Sequence, residues 1–355
     1  MKIVALLRKC IEIERAVMDS NLMHSWSPQA AQDLRWLLLR FSEAYVYFAE
    51  DHHSVVSPSL LHAVGRDSDC GKVFLNELID FSLETLRKWS GEQDVLDYSC
   101  GILIANMKRT GPKTKLLSQD ERIWEVGAKF CAERDCIYSR LPAPIQQKLM
   151  SVVVYAGAGG GMATQQRMWT SIEPLQRRFA ELTKMSISSG LARCELTDIL
   201  ERLTGCVLAA TPDLVSGLAE FLVPFISQIG ALVDAVNGAS DVATLLFKLN
   251  SALAKSLLPY LSEQKCQPFL EAILNLLNRK FIRNYFSLIQ ISVHSKWNRG
   301  RRGTSQVDDE CAEELVQMLD LISNVLNRDV LDFSNETSND KSLVAASDVS
   351  KLVCF

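Results

Sequence analysis

The chain has 355 residues, enough for two or three ordinary domains or one elongated array of repeats. With 48% hydrophobic and 23% charged residues it can bury a large core, which excludes intrinsic disorder as its overall state. Lys and Arg number 38 against 42 Asp and Glu, a formal charge of -4 that argues against bulk electrostatic binding of nucleic acid or membrane.

The opening MKIVALLRKCIEIERAV is an amphipathic helix carrying Arg8, Lys9, Glu12 and Glu14 where a signal peptide needs an unbroken apolar run. No window holds 18 apolar residues in a row, so no membrane span is expected and the reading is of a soluble, unsecreted protein. Next, Ser27 and Pro28 supply an N-cap and a proline at the first helical position. They start a helix whose apolar face is Leu34, Leu37, Leu38, Phe41, Tyr45 and Phe48. His52 and His53 follow, with His62 beyond, but no ligand spacing is completed around them, so no metal is expected.

FLNELIDFSLETLRKW reads as a helix with one acidic stripe, Glu77, Asp80 and Glu84 at i, i+3 and i+7, opposite its apolar face. Further helices follow, with faces Ile172, Leu175, Phe179 and Leu182, then Leu246, Leu249, Leu253 and Leu257, then Leu315, Leu319, Ile322 and Leu326. Breaks rich in Gly, Pro, Ser and Asp at 90–94, 109–114, 140–144, 209–213 and 237–241 separate the helices. No alternating strand pattern bounded by hairpin turns occurs, so the fold class is all-α.

The first helices of successive pairs fall near residues 92, 143, 192 and 240. That spacing is close to the ~40 to 47 residues of HEAT and armadillo arrays and predicts an α-solenoid over 1–333, about six antiparallel helix pairs. Residues 334–346 form a polar linker, and a new helix begins within 347–355. Both ends of such an array expose apolar surface, because each repeat buries its faces against neighbours.

Two stretches suggest other chemistry. SVVVYAGAGGGMATQQRMW has the outline of a phosphate-binding turn, but the sixth position from Gly157 is Met162 and no Lys-Ser/Thr pair follows. The run Ile145, Leu149, Val152 and Val153 is helical, so the glycines make an inter-helix turn with a left-handed cap. Lys296, Arg299, Arg301 and Arg302 form a short basic run that reads as a solvated loop, with a nuclear-targeting or RNA-contacting patch as the alternative. The ten cysteines include no C-x-x-C pair and mostly sit in apolar helical patterns, as reduced buried thiols do. No catalytic motif is present, so catalytic, cofactor-binding and metal residues are all expected to be none.

Four stretches, WSGEQDVLDYSCGILIANM at 89–107, SIEPLQRRFAEL at 171–182, SLLPYLSEQKCQPFLEAILNLLNRK at 256–280 and LDLISNVLNRDVLDFSNET at 319–337, resemble the exportins among the importin-β-like karyopherins, in that family's order. The resemblance implies a HEAT-repeat superhelix that binds Ran-GTP and protein cargo together in the nucleus, crosses the nuclear pore by contact with its proteins, and releases both in the cytoplasm. The family's cargo class includes the hypusine-containing translation factor, with its cationic side chain. The N-terminal repeats that make most of the family's Ran contact have no counterpart here, and 296–307 is a locally divergent loop. The chain is therefore expected to match a middle-to-late portion of a receptor with little Ran-GTP affinity of its own. Glu77, Asp80 and Glu84 are the candidate cargo contacts. A general α-solenoid scaffold is the alternative, and a helical enzyme without a legible site a further one.

Overall fold

The computed structural model describes residues 2–20, 26–51, 68–89, 91–107, 117–183, 190–228, 240–262, 264–278 and 316–326, with residues 58, 59, 62 and 232. Among them there is no strand, as the sequence predicts. The helices are α1 (Lys2–Asp19), α2 (Pro28–Asp51), α3 (Asp69–Lys88), α4 (Gln93–Met107), α5 (Glu121–Ala132), α6 (Ala143–Gly159), α7 (Met162–Leu182), α8 (Gly190–Leu208), α9 (Val215–Ile226) and α10 (Ser240–Ser256). Two more, α11 and α12, occupy 264–278 and 316–326. Short 3₁₀ turns lie at Ile137–Arg140 and Leu258–Tyr260. The sequence expectations for His52, His53, the break at 109–114, the basic run at 296–302, the divergent loop at 296–307, the linker at 334–346 and the helix at 347–355 lie outside the described residues.

Local chemistry explains where the helices begin. Pro28 opens α2, and the Ser27 carbonyl accepts the Ala31 N–H at 3.2 Å. The Ser68 hydroxyl caps α3 by accepting the Gly71 N–H at 3.3 Å, and Asp69 at one end with Arg87 and Lys88 at the other complements the helix dipole. Asp120 caps α5 by accepting the Arg122 N–H at 3.0 Å. Helices α4, α6, α8 and α10 begin at Gln93, Ala143, Gly190 and Ser240, within two residues of the starts read from the sequence.

The chain gathers into two compact units: residues 1–178 with 201–211, and residues 179–200 with 212–355. In the first, α1 contacts α2 and α3, α2 contacts α4, α3 contacts α4, and α6 contacts both α4 and α5. Each helix thus meets the next but one: α1 and α3 in one row, α2, α4 and α6 in the other. α4 is central, and Leu96, Cys100, Ile102, Leu103 and Met107 on several of its faces are all buried. Each such aliphatic side chain contributes about 1.5–3 kcal/mol on leaving water.

Polar contacts follow the same skip. α5 reaches α3 through Arg122 and Asn76, with Nη2 to Oδ1 at 2.5 Å. α7 reaches α5 through Arg167 and Glu121 at 2.6 Å, and α6 reaches α4 through Lys148 and Asp97 at 2.5 Å. In the second unit, Arg193 of α8 forks onto Asp241 of α10 at 2.5 and 2.9 Å. Lys265 of α11 donates to Ser216 of α9 at 2.6 Å, and Asn324 of α12 to Ser251 of α10 at 2.7 Å. Phe225 of α9 stacks between Phe179 and Phe221, its ring 4.8 and 5.5 Å from theirs.

Most expected apolar faces are buried. Ile172, Leu175, Phe179 and Leu182 line the inner side of α7, and Leu246, Leu249, Leu253 and Leu257 that of the α10 segment. Two faces need correction. Leu37 is 49% exposed, because the buried row of α2 runs through Ala31, Leu34, Arg35, Leu38 and Ser42. Leu319 is 54% exposed and Leu326 38%, because α12 turns Met318, Leu321 and Val325 inward, one residue away from the expected row.

Candidate functional site

The three carboxylates predicted to meet a partner do share one side of α3, and all three are engaged within the chain. Arg8 of α1 grips Glu77 with a two-bond fork, Nε to Oε2 at 2.8 Å and Nη2 to Oε1 at 2.5 Å. Arg15, two turns further along α1, donates to Glu84 at 3.0 Å and lies 3.7 Å from Asp80. Arg122 of α5 takes the other Asp80 oxygen. Lys88 closes the row: its ammonium lies 2.9 Å from Glu84 and donates to Asp19 at 2.6 Å and to the Met18 carbonyl at 3.2 Å.

The stripe is therefore a seam between α1, α3 and α5. Its side chains are partly shielded, Glu84 most at 16% exposure. The electrostatics match the geometry. Arg8 is raised above its ordinary value by its hydrogen bonds to Glu77, and Arg122 is raised by Asp120 first and Asp80 second. The Asp19 carboxyl is lowered by the hydrogen bond from Lys88. A basic partner at this stripe has to compete with cations already in place.

Sequence reading missed a second arrangement. Glu14 of α1 and Arg35 of α2 form an ion pair at 2.5 Å, both side chains fully buried. Arg35 also donates to the Ala31 carbonyl at 2.8 Å and to the Thr85 hydroxyl at 2.7 and 3.3 Å, while Thr85 donates to the Phe81 carbonyl at 2.7 Å. The guanidinium lies over the Phe81 ring at 4.5 Å and near the Trp89 ring at 5.7 Å. Burial raises the Glu14 carboxyl, with Arg35 acting against it, and burial lowers the Arg35 guanidinium, with Glu14 acting against it. The pair ties α1, α2 and α3 together.

A signal for it existed. Arg35 is four residues after Ala31 and three before Leu38, on the buried row, and Glu14 is three after Ile11 and four before Met18. A charge on an apolar row marks a buried ion pair whose partner lies on another helix.

The glycine cluster has the helical setting read from the sequence, with the turn shifted. α6 continues through Gly157 and Gly159, Gly160 ends it, and Gly161 alone takes the left-handed conformation, at φ 85°. Gly157 serves the α6–α7 crossing instead: a Cβ there would stand 2.5 Å from the Met168 sulfur and 2.7 Å from its Cβ. Thr164 donates to the carbonyls of Gly157 and Gly161 at 3.1 and 2.9 Å, so both oxygens are occupied.

His62 is exposed, and among the described residues no group of three or more His, Cys, Asp or Glu is placed to hold a metal ion. The described cysteines form no disulfide with one another; Cys100, Cys131, Cys136, Cys206 and Cys266 are buried, and Cys70 and Cys194 exposed. Burial pushes the Cys100 and Cys131 thiols up to about 12, away from nucleophilic use at neutral pH. Among the described residues no helix is long and apolar enough to cross a membrane. No known protein-family model matches the chain.

Proposed function

We propose that this chain is a HEAT-like α-solenoid that works by binding proteins, with no catalytic step. In this reading it is the middle-to-late part of a nuclear export receptor of the exportin-4 kind. The observation that carries the reading is the ordered set of exportin-like stretches, the first two covering α4 and the second half of α7. The next-but-one contacts of the helices support the solenoid half of it, since stacked helix pairs build a long surface for wrapping partners. Exportin-7 is the neighbouring receptor type. Cargo such as the hypusine-containing translation factor, Ran-GTP in a full-length receptor, and nuclear pore proteins are the proposed partners. Shuttling between nucleus and cytoplasm is the proposed cellular setting.

A pull-down tests this. The chain is offered the hypusine-containing factor and its unmodified form, each with Ran-GTP or Ran-GDP. The expected result is retention of the modified factor and little capture of Ran alone. Retention of neither form overturns the transport reading. Selective capture of Ran-GTP by the chain alone overturns its assignment to the middle-to-late part of a receptor. A general protein-interaction scaffold is the second reading, favoured by the internal engagement of Glu77, Asp80 and Glu84, which leaves the proposed cargo stripe already occupied.

A further inference from the structure

Arginine commonly meets a carboxylate through a two-oxygen fork, and the Arg8–Glu77 and Arg193–Asp241 pairs both close one. The buried pair does not. Glu14 meets Arg35 through Oε1 alone, with Nη1 at 2.5 Å, and among the described residues nothing bonds its buried Oε2. One tine of the fork is open.

The five N–H groups of the Arg35 guanidinium are nearly all used. Nε donates to Thr85, Nη1 donates to Glu14 and to the Ala31 carbonyl, and Nη2 gives one of its two N–H groups to Thr85. The second N–H of Nη2 is left over. Because Nε and Nη2 share Thr85, it points to the opposite end of the planar group, the end that Nη2 shares with Nη1. Thr85 cannot serve it, since its hydroxyl already accepts twice and donates to the Phe81 carbonyl. A third group comes from the end of α3: the Trp89 ring lies 5.7 Å from the same guanidinium, and its Nε1–H is buried without a partner among the described residues.

Two unused donors and one carboxylate oxygen are thus gathered at one guanidinium. Glu14 and Arg35 carry one charge of each sign, so an anion placed there would face the Glu14 oxygen and a cation would face Arg35. A small neutral molecule that accepts twice and donates meets all three groups. Glu14, Arg35 and Thr85 are fully buried, which restricts that molecule to the smallest, and buried waters make about three hydrogen bonds of this kind.

We propose that one water molecule is held at the Glu14–Arg35 pair, accepting from Arg35 Nη2 and Trp89 Nε1 and donating to Glu14 Oε2, so that it joins α1, α2 and the end of α3. The inference does not rest on the transport reading. The water is sealed in by α1, because Glu14 is an α1 residue and α1 packs on both α2 and α3. It leaves only when α1 lifts, so its residence time measures the local opening of the first helix.

Oxygen-17 magnetic relaxation dispersion of water, measured on the 355-residue chain, tests the proposal. Its amplitude counts long-lived internal waters, and because it reads oxygen, proton exchange from Ser and Thr hydroxyls does not enter. Glu14→Leu with Arg35→Met removes both charged partners and should lower the amplitude by the share of a single water. Trp89→Phe keeps an aromatic ring and removes the N–H, so the same water should exchange faster, seen as a dispersion shifted to higher frequency or as the loss of that share. Circular dichroism shows that each variant keeps its helix content, and if the double variant does not, Trp89→Phe decides. An equal amplitude in the wild type and a folded double variant means that Glu14 closes a dry fork on Arg35 and overturns the proposal. So does a Trp89→Phe dispersion that matches the wild type in both amplitude and frequency.

Discussion

Gly205 of α8 touches the backbone of Gln147 on α6: a Cβ on Gly205 would overlap the Gln147 carbonyl oxygen and stand 2.8 Å from the Met150 Cβ. Ser151 fastens the same crossing, donating to the Gln147 and Gly205 carbonyls at 3.1 and 2.9 Å. Gly205→Ala therefore forces the two helices apart and should cost about 1–3 kcal/mol. A drop in the urea midpoint with an unchanged slope checks it, and a variant as stable as the wild type shows that the helices part freely.

Removing one member of the Glu14–Arg35 pair strands a charge among Phe81, Trp89 and Thr85. Glu14→Leu alone should cost about 3–5 kcal/mol, while Glu14→Leu with Arg35→Met should recover most of the loss. The pair also predicts a pH signature. Because burial raises the folded-state carboxyl above its ordinary 4.5, the stability from this group is full below that value and is lost as pH rises through the raised one. Wild-type stability minus that of the double variant should therefore fall from about pH 4.5 upward. A difference that rises with pH contradicts the assignment.

The α1–α3 seam should be sensitive to salt in the absence of any partner. Glu77→Lys sets a cation against Arg8 and should destabilise the fold by about 1 kcal/mol at low ionic strength, less at high. Arg8→Glu added to it should restore most of the loss. If the reversal leaves stability unchanged yet impairs cargo retention, the stripe is a binding surface first and a seam second.

Thiol reactivity should divide by position. In the native protein at pH 8, iodoacetamide should modify Cys70 and Cys194 quickly. Cys100 and Cys131, pushed up to about 12 by burial, should react only on unfolding. Site-resolved mass spectrometry after timed quenching checks this. Rapid native labelling of Cys100 would mean that α4 opens readily.

The sequence carried the helices well and their partners poorly. The starts at Gln93, Ala143, Gly190 and Ser240 were legible because proline, glycine and capping residues act within a few positions of themselves. The inner faces of α7 and α10 were legible because their apolar rows are unbroken. Leu37 and Leu319 were misplaced because periodicity fixes the repeat of a face but leaves its centre free by one residue, about 100° of rotation. The ion pairs were hidden for a different reason. Arg8 and Glu77 are 69 positions apart, and Glu14 and Arg35 meet only after two helices have packed.

The two rows of the first unit differ in what resists their opening. Along α1, α3 and α5 the rungs are half-exposed charge pairs, which water and dissolved ions can replace one at a time. The α2–α4–α6 row instead joins largely through buried apolar side chains of α4 and α6, with Lys148–Asp97 at its margin. A load that spreads the charged row first breaks these pairs in succession and then meets Val4, Ile11, Met18 and the buried Glu14–Arg35 pair, whereas one that spreads the apolar row must wet the core from the start. The unit should bend like a leaf spring with one soft side, and ionic strength sets how soft that side is.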